Sequence, residues 1–119
     1  MRNLIAALTA SLIATTAAAS THDESLAIRR AEMRAEVAMQ ALSDRYTALW
    51  GRLDSVSKKA FSASERAWLN DGRLNEQRAC AAQRTDVATA LARAVCLAEV
   101  TEHRLATLTG GTLALQAAR

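Results

Sequence analysis

The chain has 119 residues, which is room for one domain. It contains no proline, four glycines and a formal charge of +3, which becomes +2 once Arg2 is set aside with the first segment. Few breakers and abundant alanine favour long helices over sheets, and well-mixed charges argue against a nucleic-acid binder, which more often shows basic clusters beside stacking aromatics.

Residues 1–19 read as a secretory signal peptide. Arg2 gives a positive start, Leu4 to Thr16 is weakly polar to apolar, and Ala17-Ala18-Ala19 supplies small residues at the cut. The apolar part falls short of the roughly 20 residues that a bilayer span needs. The expected location is the periplasm or the medium, with no membrane span. Residues 20–109 then form the helical domain, and residues 110–119, opening near a Thr-Gly-Gly-Thr stop, form a flexible tail.

The first helix of the domain follows polar residues 21–25. Ala35, Met39, Leu42, Tyr46, Leu49, Leu53, Val56 and Ala60 alternate steps of four and three, which lays one apolar stripe along it. Leu26, Met33 and Val37 are expected to widen that stripe, and Trp50 to broaden its middle. Gly51 costs about 1 kcal/mol inside a helix and need not end it; fraying is expected near Ser55 and Ser57. The stripe suits packing within one protomer or against a second copy as a homodimer.

A second helix is expected to start with a cap at Ser62 or Ser64. Trp68 is large enough to anchor several elements and wants a partner for its indole N–H. Asn70-Asp71-Gly72 is a turn signal that the helix could absorb or break upon. Cys80, Val87, Leu91, Ala94, Ala98, Thr101, Leu105 and Leu108 again keep helical spacing.

Cys80 and Cys96 are the only cysteines. An unbroken helix would hold them about 24 Å apart, whereas a disulfide needs Cα atoms within about 7 Å. Export favours their pairing, and pairing requires a reversal near Gln83-Arg84-Thr85-Asp86. Two buried thiols, or a bond between protomers, are the alternatives.

Little here carries chemistry. His22 and His103 stand without companions at metal-ligand spacing, and no phosphate loop is present. Glu99 and His103 are four apart on a helix, a commonplace arrangement, and no nucleophile accompanies them. The expectation is a protein without cofactor or metal that binds rather than catalyses.

Leu42-Ser43-Asp44-Arg45-Tyr46, Glu65-Arg66-Ala67-Trp68, Cys80, and Cys96-Leu97 with Thr101-Glu102-His103-Arg104-Leu105 resemble, in that order, the LprI-like lysozyme inhibitor domain family. The likeness covers about residues 35–108. Ser43 stands where that family usually has Asn, Glu65 stands for its common Gln, and the Gly-Gly between its cysteines is absent. The resemblance implies export, an all-α helical hairpin or three-helix bundle stapled by a disulfide, and inhibition of lysozyme-type muramidases. Arg73, Arg78 and Arg104 are the candidate partner contacts. Tyr46, Leu49, Trp68 and Leu105 are the scaffold anchors. The rival expectation is a structural or homo-oligomeric envelope assembly protein without inhibitory activity.

Overall fold

The computed structural model describes the backbone of residues 2–110 and the side chains from Thr21 onward. The side chains of the expected leader, and all but Gly110 of the expected tail, lie outside the described residues. The chain forms α1 (Arg2–Trp50), α2 (Ser55–Ala67), a π-helical turn (Trp68–Gly72), α3 (Arg73–Ala82) and α4 (Thr89–Thr109). The fold is all-α, with no strand among the described residues. None of its described helices is long and apolar enough to cross a membrane.

α1 stops at Trp50, earlier than expected. Its last amides tighten, Arg52 N–H donating to Leu49 O at 3.0 Å and Leu53 N–H to Trp50 O at 3.2 Å, the narrow-turn ending common at helix C-termini. The next helix starts at once because Asp54 caps it. The Asp54 backbone is extended and its carboxylate accepts from Ser57 N–H at 2.7 Å, a contact that contributes about 1 kcal/mol. Ser62 and Ser64, expected as caps, lie inside α2. The reversal at 51–54 also cuts the apolar stripe. Leu49 is 1% exposed and Leu53 packs against the core, but Val56 is 80% exposed and Ala60 faces solvent. Phe61 takes over from them, stacking on Tyr46 with ring centroids 4.9 Å apart.

Asn70-Asp71-Gly72 does not break the helix. It adds a residue to one turn, and the Arg73 N–H reaches back to Trp68 O, five residues away as in a π-helix. Gly72 permits this. A Cβ there would lie 3.1 Å from Trp68 Cδ1, tighter than ordinary carbon contact. The turn therefore passes directly over the buried indole.

α3 runs into the connection 83–88, which returns the chain to α4 without glycine or proline. The reversal falls where pairing of the cysteines required it. Cys80 lies near the end of α3 and Cys96 two turns into α4, and they are joined with Cα atoms 5.8 Å apart. The open length of the connection reconciles those two positions.

α1 and α2–α3 run in opposite senses, and α4 returns parallel to α1. Arg34 pairs with Glu102, and further along both helices Arg45 Nε donates to Leu108 O at 3.3 Å. The Arg34 guanidinium is held above its ordinary pKa by the Glu102 hydrogen bond. Leu42, Leu49, Phe61, Trp68, Val100 and Leu108 form the core, with Tyr46, Trp50 and Leu105 packed against it. Buried alanines on both α1 (Ala31, Ala35, Ala38) and α4 (Ala92, Ala98) keep the side chains between those backbones small. The stripe of α1 is thus used within the chain.

Candidate binding groove

Two segments separated in sequence face one another across a groove of about 480 Å³. Met39, Leu42, Ser43 and Tyr46 of α1 line one side. Ser62, Glu65, Arg66, Leu69 and Asn70 line the other. Spacings of three and four residues place the second set on one face of α2 and the π-helical turn. The walls are mainly apolar, and exposed Arg66 and Asn70 stand on the rim.

The groove rests on a polar cluster that joins three helices. Glu65 is 4% exposed, and its carboxylate accepts from Arg104 Nη2 of α4. The Arg104 guanidinium carbon also lies 5.4 Å from the centre of the Trp68 ring, within cation–π range. Trp68 Nε1 donates to Glu76 Oε2 at 3.2 Å, which supplies the partner its indole was expected to need. Arg104 Nε is buried and has no hydrogen-bond partner among the described residues. A buried carboxylate bound to a mostly buried guanidinium is costly to separate, so this cluster fixes α2 against α4 behind the groove.

Of the scaffold anchors, Leu49 and Trp68 lie in the core, and Tyr46 and Leu105 at its edge. The three candidate contact arginines stand in different surroundings. Arg104 is committed to Glu65. Arg73 is half-buried in a second cleft with Glu32, Glu36 and Thr101. Arg78 is exposed on α3. The groove's own rim arginine, Arg66, was not singled out from sequence, nor was Glu65 as a buried ion-pair member. Their signal was the Ser62-Glu65-Arg66-Leu69 spacing, which needed the position of α1 to become a site.

Arg84 Nη2 donates to both carboxylate oxygens of Glu99 at 2.6 Å, and His103 is exposed. One Glu99 oxygen also lies 3.8 Å from Cys80 Sγ. Cys80, Cys96 and Glu99 bring their ligand-type atoms within 4.8 Å of one another, but the sulfurs are joined in the disulfide and offer no thiolate.

No protein-family model, no curated protein and no solved structure matches the chain.

Proposed function

We propose that this chain is an exported helical module that binds another protein, and that the partner is a lysozyme-type muramidase. The observation that carries the reading is the groove. Leu42-Ser43-Asp44-Arg45-Tyr46 and Glu65-Arg66-Ala67-Trp68, two of the segments on which the resemblance to lysozyme inhibitor domains rests, contribute to its opposite walls. A third segment reaches it from behind through Arg104 and Glu65.

The chemistry of the groove suits such a partner. Apolar walls formed by Leu42, Tyr46 and Leu69 would bury an apolar ridge, and Arg66 on the rim would meet a carboxylate. Glycoside hydrolases of this class work with a pair of carboxylates flanking the scissile bond, so their clefts present the matching charge. Bidentate geometry makes arginine well suited to that contact. The role is binding and occlusion rather than catalysis.

The test is a titration of the purified, oxidised protein against a panel of lysozymes while cell-wall hydrolysis is followed. Saturable inhibition near one-to-one stoichiometry is expected. Unchanged turnover at micromolar protein across the panel would reject the reading.

A further inference from the structure

α1 is apolar on two opposite sides. A helix turns once in about 3.6 residues, so Leu26, Met33 and Val37 project away from the side that carries Ala31, Ala35 and Leu42. Those three were expected to widen the core stripe, but they stand outside it, 41%, 65% and 72% exposed. Half-buried Ala41 continues the same outer line one turn beyond Val37. A helix that is apolar on both faces is ordinarily covered on both, and here the bundle covers one.

The charges along the outer line indicate what covers the other. Arg30 stands between Leu26 and Met33, and Asp44 about one turn after Ala41, both exposed. Asp44 is steadied by Gln40 Nε2 at 3.2 Å. We infer that the outer face of α1 is the two-fold interface of a homodimer, with the two α1 helices antiparallel and Val37 on the axis. In that register Val37 meets its own copy, Met33 meets Ala41, and Arg30 meets Asp44 at both ends. A parallel arrangement would set Arg30 against Arg30 and Asp44 against Asp44. Self-complementarity of one patch is what a two-fold interface requires, and a charge pair at each end fixes register and direction. The inference is independent of the muramidase reading, because the groove opens between α1 and α2 and uses none of these residues.

Sedimentation equilibrium of the oxidised protein tests it. At about 100 μM, a concentration suited to a modest helix–helix interface, the expected mass is twice that of one protomer. Val37→Asp is expected to give a monomer with unchanged helical circular dichroism, since Val37 is 72% exposed. Arg30→Asp is expected to weaken the dimer at least about tenfold, and adding Asp44→Arg to restore it. A monomer throughout the concentration range overturns the inference. So does a dimer that survives Val37→Asp, or one that the charge exchange fails to rescue. Binding of an unrelated helical peptide to a monomeric chain through Val37 would assign the face to a different partner and would likewise overturn it.

Discussion

Glu65→Ala is expected to destabilise the protein by about 3–5 kcal/mol, the range for removing one member of a buried ion pair. The carboxylate side chain is 5% exposed and that of Arg104 is 21% exposed, so water does not readily replace the lost partner. Arg104 Nε already lacks a hydrogen bond among the described residues. Without Glu65 the guanidinium would keep only its position over the Trp68 ring. Urea denaturation followed by tryptophan fluorescence measures the effect. The companion experiment replaces both partners, Glu65→Leu with Arg104→Met, and is expected to recover most of the loss. Breaking a buried pair leaves an uncompensated charge, whereas removing both members leaves none. A single-variant loss below about 1 kcal/mol, the value of an exposed pair, would show that this cluster does not hold α2 to α4.

Loss of the Cys80–Cys96 bond is the second large effect. The bond closes a loop over a sequence separation of 16. Restricting the unfolded chain over such a loop contributes about 3 kcal/mol in the chain-entropy account. The Cys80→Ser/Cys96→Ala variant is expected to unfold at lower urea concentration by that amount, with a steeper dependence on urea because its unfolded state is more open. The site of weakening is the 83–88 connection, which has neither glycine nor proline to fix its turn. Gln77 Nε2 on Arg93 O at 2.9 Å and Arg84 on Glu99 are the contacts left there. An unchanged urea midpoint would mean that packing alone closes this hairpin.

The parts legible from sequence were those written in periodicity and covalent geometry. The all-α class, the α1 stripe through Leu53, the core position of Trp68 and the reversal beyond Cys80 follow from local rules and from the reach of a disulfide. The misreadings came from competition between neighbouring signals. Gly51 tolerates a helix, but Asp54 starts another, and the position of the cap decided the boundary. Asn70-Asp71-Gly72 reads equally well as a turn or as continuation, and the resulting π-helical turn depends on the indole beneath Gly72. Leu26, Met33 and Val37 share composition with the core stripe but not its side of α1. The groove was least legible, because its walls come from two helices brought together by Phe61 on Tyr46, with α2 held from behind by Arg104 of α4 on Glu65. Neither contact is visible in the spacing of either helix alone.

The muramidase reading assigns the partner to one place, the groove between α1 and α2, and Leu69 is its exposed apolar wall. The most direct measurement compares inhibition of lysozyme by the wild-type chain and by Leu69→Asp, with circular dichroism confirming that both are folded. A charge in an apolar contact centre is expected to weaken inhibition by at least about tenfold. Equal inhibition by the two proteins would contradict the groove as the binding site, and no inhibition by either would contradict the function itself.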